Sequence, residues 1–376
     1  IRTGALTGIE GLAVTAEVDI SRGLPGFHLV GLPGAEVRES RDRVMAALRN
    51  AGIRIPSGRI TVNLAPAGVR KAGASYDLAI AVGVAAAGDE KAGRRRTATP
   101  ERERALLLGE LSLFGELRPV RGLLAIVLAA AEKGPVTVVV PAEQAWEAAL
   151  VTGVEVIGAR TLTDVLAWWR TGRSPDIPDR APASGVGPGQ ADPAEALAGL
   201  EGQSLVRKAA VVSSVGGHHL LMMGPPGTGK TRLARILGRL QPDLDRDRAL
   251  EVTRIHSAAG TLGQPALIRR PPLRAPHHTV TRAGLVGGVG ATRPGEVTLA
   301  HGGMLFLDEL AEFSPRVLDA LREPLEEGRV VLARGTGHHD FPARFQLVAA
   351  MNPCRCGFLG SEVRTCRCRV HERASY

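Results

Sequence analysis

Eight consecutive residues, Gly224-Pro225-Pro226-Gly227-Thr228-Gly229-Lys230-Thr231, match G-x-x-x-x-G-K-[ST] at every fixed position. Glycines at those places let backbone N–H groups turn inward, where they can cradle phosphate oxygens. The helix that follows offers its partially positive N-terminus to the same anion. Lys230 would reach the β- and γ-phosphates of a nucleoside triphosphate, and the Thr231 hydroxyl would bind Mg²⁺. Further on, four apolar residues, Met304-Leu305-Phe306-Leu307, run straight into Asp308-Glu309. Such a strand delivers two carboxylates at its C-terminal edge, where ligands bind in open α/β sheets. Asp308 would hold the Mg²⁺, and Glu309 would orient and deprotonate the attacking water. Asn352 ends the next apolar run. An amide there can hydrogen-bond both the lytic water and the γ-phosphate, and so sense whether ATP or ADP is present. Taken singly, these are also a glycine-rich turn, an exposed acidic turn and an asparagine before Pro353. In this order on one chain they point to ATP hydrolysis.

These residues meet only if the right elements carry them. "HHLLMMGPPGTGKTRLARIL" reads as strand, turn and helix, and "GMLFLDEL" and "FQLVAAMN" as two further core strands. Strands alternating with helices predict a doubly wound α/β module with a parallel sheet flanked by helices. Upstream, residues 171–197 are rich in proline and glycine with no apolar period, and read as a linker. The expected domains are therefore 1–170 and 198–376. Residues 88–104 read as a basic, polar surface loop. The first domain mixes strands ("GLAVTAEVDI", "GFHLVGL", "RITVNLAP", "PVTVVVP") with helices ("AEVRESRDRVMAALRNAG", "SYDLAIAVGVAAA", "GLLAIVLAAAEKG").

Between the acidic strand and Asn352, "SPRVLDALREPLEEG" predicts one helix with Ser314 as N-cap, Pro315 in its first turn and Gly328 past its end. "RVVLARGTGHHDFPARF" then predicts a hairpin around Gly335-Thr336-Gly337. In a ring of subunits such a hairpin would point into the channel, where Arg334, His338 and His339 could meet DNA phosphates; a merely solvated hairpin is the alternative. The glycine-rich stretch Gly284–Gly295 reads as a mobile loop. His277 and His278 precede it with no nearby carboxylate in sequence, which favours a structural or nucleic-acid contact over a metal site.

The chain has 376 residues, enough for two or three domains, and a formal net charge of +9. That excess favours a polyanionic partner, although arginine bias from a GC-rich genome gives the same balance. No apolar run reaches the roughly 18 residues needed to cross a bilayer, and the N-terminus does not read as a signal peptide. A cytoplasmic location, with no membrane partner, is expected. All four cysteines, Cys354, Cys356, Cys366 and Cys368, fall within fifteen positions directly after Asn352. In a reducing compartment such a cluster is more often a metal site than a disulfide pair. Four thiolates can close a tetrahedral Zn²⁺ site, with His371 as a spare ligand, though structural pairs are usually C-x₂-C rather than C-x-C. Redox disulfides and plain free thiols stay open. Five arginines between Arg355 and Arg373 would lower the thiol pKa values. A closed site would staple the loop that follows Asn352.

The three nucleotide motifs together indicate the AAA+ class. "RPPLRAPHHTVTRAGLVGGVG", "PGEVTLAHGGMLFLDELAEFSP" and "LEEGRVVLARGTGHHDFPARFQLVAAMNPC" resemble the magnesium-chelatase-like ATPases, and more narrowly the ComM (YifB) family. "GLPGFHLVGLPGAEVRESRDRVMAALRNAG" and "RITVNLAPAGVRKAGASYDLAIAVG" resemble that family's N-terminal domain. The resemblance implies a hexameric, ATP-driven motor for DNA branch migration in natural transformation. It also implies an α+β Lon-protease-like domain ahead of the AAA+ module. "KAGASYDLAIA" resembles the stretch around the Lon serine, with Ser75 at its place, but Leu124 stands where the lysine base would be, and Lys71 and Lys133 miss that spacing. A serine without a base is a poor nucleophile, so a scaffold or partner-binding role is expected. The resemblance puts the helical lid and the arginine finger beyond Tyr376, so residues 1–376 are expected to bind ATP and hydrolyse it poorly. The alternatives are a chelatase motor that inserts Mg²⁺ into a porphyrin and a protein-remodelling module.

Overall fold

Asp77–Lys91 is apolar on every side through its first half, and a helix of that kind must be buried all round. Asp77 to Ala85 are indeed buried without interruption in the computed structural model of the chain. The structure describes every residue except 33, 69, 70, 72, 95–97, 177–196, 198–203, 264–266, 289–292, 335, 336 and 363, so most of the expected linker 171–197 lies outside the described residues.

The chain forms two compact units. The first is Ile1–Gly185 with His256–Leu267 and Gly335–Gly337; the second is Val186–Ile255, Ile268–Arg334 and His338–Tyr376. The first unit holds a seven-stranded mixed sheet made from β1 (Arg2–Thr7), β2 (Glu10–Ser21), β3 (Gly26–Val30), β4 (Arg59–Ala65), β5 (Leu106–Leu107), β8 (Val136–Pro141) and β9 (Val154–Ala159), and a small hairpin of β6 (Glu110–Leu111) and β7 (Leu117–Arg118). The sheet order is β3-β4-β2-β1-β5-β8-β9, antiparallel at β1/β2 and β2/β4 and parallel elsewhere. Its helices include α1 (Ala35–Asn50), α2 (Asp77–Lys91), α3 (Leu123–Ala131) and α4 (Leu162–Thr171). The one carboxylate at the start of α2 is matched inside the protein: Arg43 of α1 donates to Asp77 at 2.6 Å, and the Leu111 N–H adds a bond at 3.3 Å. Ser75 donates its hydroxyl proton to the Gly4 carbonyl at 2.9 Å rather than to a base, and the buried Lys71 donates to the Pro66 carbonyl.

The second unit is built on a parallel sheet in the order β10-β15-β12-β11, from β10 (Leu220–Met223), β11 (Leu273–Arg274), β12 (Met304–Leu307) and β15 (Gln346–Met351). All four residues of β12 are buried, as expected for a central strand covered on both faces. Met222, Met304, Phe306, Val348 and Ala350 share one core cluster with Ala210 of α5 (Ser204–Gly216) and with Leu233, Ala234 and Leu237 of α6 (Lys230–Leu240). Burying each large side chain there contributes about 1.5–3 kcal/mol. This packing clamps α6, and with it Lys230 and Thr231, over the sheet. The next long helix is α7 (Arg246–Ala259).

The hairpin is present as β13 (Arg329–Arg334) paired with β14 (Gly337–Pro342). The single helix expected ahead of it is corrected: the segment folds as two short helices, Pro315–Asp319 and Arg322–Glu327. Pro324 is the cause, because it has no N–H for the Ala320 carbonyl and its ring clashes with that carbonyl. Ser314 flanks the first helix without any side-chain cap bond, while Gly328 ends the second at φ 69°. Among the described residues no helix is long and apolar enough to cross a membrane.

Candidate active site

The strand registers bring the chemical residues level. Leu307 pairs with Ala349 and Met351 with Met223, so Asp308, Asn352 and Gly224 all stand just past the C-terminal edge of neighbouring strands. The Gly224 N–H donates to the Met351 carbonyl at 3.3 Å, tying the start of the loop to the end of β15. The turn itself needs glycine at two places, Gly227 (φ 83°) and Gly229 (φ 85°), in the left-handed region that side chains with a Cβ avoid. Thr228 closes the loop by donating its hydroxyl to the Pro225 carbonyl at 2.9 Å.

Lys230 opens α6 and turns back over the loop. Its Nζ donates to the Gly224 carbonyl at 2.7 Å, the Pro225 carbonyl at 3.0 Å and the Asn352 Oδ1 at 3.2 Å. Burial holds this ammonium below the usual lysine pKa, and the nearby Asp308 charge opposes that shift. One residue on, Thr231 donates its hydroxyl to Asp308 Oδ2 at 2.7 Å, while the other carboxylate oxygen accepts the Glu309 N–H at 3.0 Å. Two hard oxygen donors side by side suit Mg²⁺. Lys230, Thr231, Asp308 and Asn352 therefore meet in one place.

Glu309 has φ 54° and ψ 50°, a left-handed conformation that costs a non-glycine residue about 1–3 kcal/mol and that occurs mainly at functional sites. Its Oε2 lies 3.4 Å from His278 Nδ1. The His278 ring is held between His277, 4.0 Å away between centroids, and the edge of Phe313 at 6.4 Å. The expectation that the histidine pair has no carboxylate nearby is thus corrected. Thirty-one positions separate His278 from Glu309, and no local pattern in the chain links them.

The glycine-rich segment is also not simply permissive. Thr281 caps a short helix, Arg282–Val286, and Gly287 then bridges to Pro294. A Cβ on Gly295 would lie 2.3 Å from the Gly287 nitrogen, so glycine there allows two backbones to touch. Residues 289–292, the tip of the expected loop, lie outside the described residues. So do the side chains of Arg334 and His338; His339 sits half-buried on β14.

The four cysteines converge. Cys354 Sγ lies 3.4 Å from Cys356 Sγ and 3.7 Å from Cys366 Sγ, Cys356 and Cys366 are 3.6 Å apart, and the Cys356 N–H donates to Cys368 Sγ at 3.3 Å. All four sulfurs fall within 4.8 Å of one another. His371 is exposed on the short helix Val370–Ser375 and is not in this cluster. Backbone N–H groups of Phe358, and then Arg367, pull the Cys356 thiol down to about 6.

A phosphate-binding loop between strand and helix, flanked by a parallel strand that ends in two carboxylates, defines the fold class as a P-loop α/β protein of the AAA+ type. The comparisons with known proteins narrow this. A family model described as magnesium chelatase, subunit ChlI, matches residues 196–376, and a second, described as subunit ChlI of Mg-chelatase, matches 16–144. Competence protein ComM of Haemophilus influenzae is 40% identical over 96% of this chain and 70% of its own length. YifB of Escherichia coli is 40% identical over 95% of this chain and 68% of its own. A shorter match, 36% over 42% of this chain and 37% of the relative, is to the Holliday junction branch migration complex subunit RuvB of Anaeromyxobacter. The chain belongs to the ComM (YifB) family of magnesium-chelatase-like AAA+ proteins. That membership implies ATP and Mg²⁺.

Proposed function

We propose that the protein is an ATP-driven motor that works on DNA as a ring of identical subunits, a hexamer by the family resemblance. The observation that carries the nucleotide half is the position of Lys230, bonded at once to the phosphate loop and to Asn352, with the Thr231–Asp308 pair beside it. Gly224 to Thr231 would wrap the phosphates, with the Lys230 ammonium on the β- and γ-oxygens. Thr231 and Asp308 would hold Mg²⁺, which neutralises phosphate charge when bound. Glu309 would take the proton of the attacking water. Asn352 would sense the γ-phosphate, and because it shares Lys230 with the loop, any shift there is felt at the end of β15. β14 leads into that same strand after only three residues, so a change at Asn352 has a short path to the hairpin. Arg334, His338 and His339 of the hairpin are the proposed DNA contacts. The same reading takes Zn²⁺ as the ion for the four thiols and the cytoplasm as the location.

Support for DNA comes from the net charge of +9 and from the relatives, one a competence protein and one a subunit of a branch migration complex. The test is ATP hydrolysis by the full-length protein, lid and arginine finger included, with and without forked DNA, alongside strand separation, with Glu309→Gln as control. Hydrolysis stimulated several-fold by DNA and abolished in the variant is expected. Stimulation by a porphyrin instead would favour the chelatase reading, to which the description of the matching family model lends weight. Stimulation by a protein substrate alone would favour a remodelling module.

A further inference from the structure

Cys354 follows Asn352 by two residues, and the loop between them and Cys368 turns back on itself so that four sulfurs face one point. A tetrahedral tetrathiolate centre with metal–sulfur bonds of about 2.3 Å has sulfurs about 3.8 Å apart. The three separations of 3.4, 3.7 and 3.6 Å sit close to that edge length. A disulfide framework would sort the sulfurs into two pairs, but here Cys354, Cys356 and Cys366 are mutual neighbours and all four cysteines are free. The turn that presents Cys354 and Cys356 is closed by the Gly357 N–H on the Cys354 carbonyl at 2.8 Å, with Gly357 at φ 83°.

The far side of that turn touches the phosphate loop. A Cβ built on Gly357 would lie 2.6 Å from Pro226 Cδ and 2.8 Å from its Cγ, so the backbone of the cysteine turn rests directly on the loop proline. The cysteine loop thus meets the nucleotide cradle twice, at Pro226 by contact and at Asn352 by chain continuity, and Asn352 holds Lys230. A loop of this length with no core of its own is rigid only if something cross-links it.

We propose that the four cysteines bind one thiophilic divalent ion, Zn²⁺, and that this ion sets nucleotide affinity by bracing Pro226 and Asn352. The second half rests on the nucleotide reading given above. It makes the metal a positioning group: it touches neither ATP nor the reacting atoms.

The experiment measures metal and nucleotide separately on the purified protein. Elemental analysis is expected to find one zinc per chain, and exchange for Co²⁺ to give intense thiolate-to-cobalt charge-transfer absorption with tetrahedral visible bands. Affinity for a fluorescent ATP analogue is then titrated before chelation, after it, and after Zn²⁺ is restored. Chelation is expected to weaken binding about tenfold, the worth of roughly one hydrogen bond to a charged group, and restored Zn²⁺ to recover it. Cys366→Ser should reproduce the chelated value, and since that variant can misfold, the chelation cycle on the unaltered chain decides. Absence of zinc together with no cobalt charge transfer overturns the metal site. A bound metal whose removal leaves affinity unchanged overturns the bracing. If neither form binds the analogue, the nucleotide reading and the bracing fall together, while the metal count still stands on its own.

Discussion

Thr231 and Asp308 are 77 residues apart in the chain and their oxygens are 2.7 Å apart in space. At this scale the site makes two sharp predictions. Glu309→Gln keeps shape and removes the base, so ATP-analogue binding should persist while turnover falls about 10²–10⁴-fold, as single-turnover kinetics would show. An unchanged rate would remove Glu309 from its role. His278→Ala withdraws the ring nitrogen that lies 3.4 Å from the Glu309 carboxylate, and should lower kcat about tenfold with little change in the KM for ATP, the pattern of a lost positioning contact. A change in KM alone would assign His278 to binding instead. The nucleotide residues were legible because their types and order are tied to one local turn and two strand ends. The histidine was not, because its partner comes from another segment.

At the scale of elements, several connections hang on single hydrogen bonds. His301, buried just before β12, accepts the Arg344 N–H on Nδ1 at 3.1 Å, and its Nε2 lies 3.3 Å from Glu251 of α7. Burial lowers the His301 pKa below 6.5, against the pull of Glu251. The folded state therefore prefers the neutral ring, whose lone pair takes the Arg344 N–H. This stability is complete above the unfolded pKa and is lost as pH falls through the folded one. Thermal unfolding followed from pH 7.5 to 5 should show the midpoint dropping below pH 6.5, and His301→Gln should flatten that slope, the lost bond being worth about 1 kcal/mol. A midpoint indifferent to pH over that window in the unaltered chain would refute the assignment. The break at Pro324 belongs to this scale too. Its residue type was in plain view, yet the capping pattern around it predicted one helix, because Ser314, Pro315 and Gly328 mark ends and say nothing about continuity between them.

For the whole molecule, the charge of +9 is the quantity that matters. If DNA is held through its phosphates, affinity must fall with salt. Three phosphate contacts would weaken binding about fortyfold between 50 and 200 mM NaCl, measured by fluorescence anisotropy. A flat salt response would speak against a backbone-tracking motor. Of the hairpin contacts proposed to carry that charge, the pairing of β13 with β14 was readable from the two runs flanking Gly335-Thr336-Gly337, while which side chains reach outward depends on packing that no local pattern records.

What the sequence by itself determined is the chemistry that short-range rules encode. A glycine-laced turn can adopt left-handed angles without strain, an apolar run buries as a strand, and its polar terminus then stands at a sheet edge. What only the tertiary structure decided is which of those ends share a space: Asn352 on Lys230, His278 on Glu309, the cysteine turn on Pro226. Backbone preference acts over a few residues, whereas these meetings follow from how strands β10, β12 and β15 align and how the loops beyond them pack, and no local pattern carries that information.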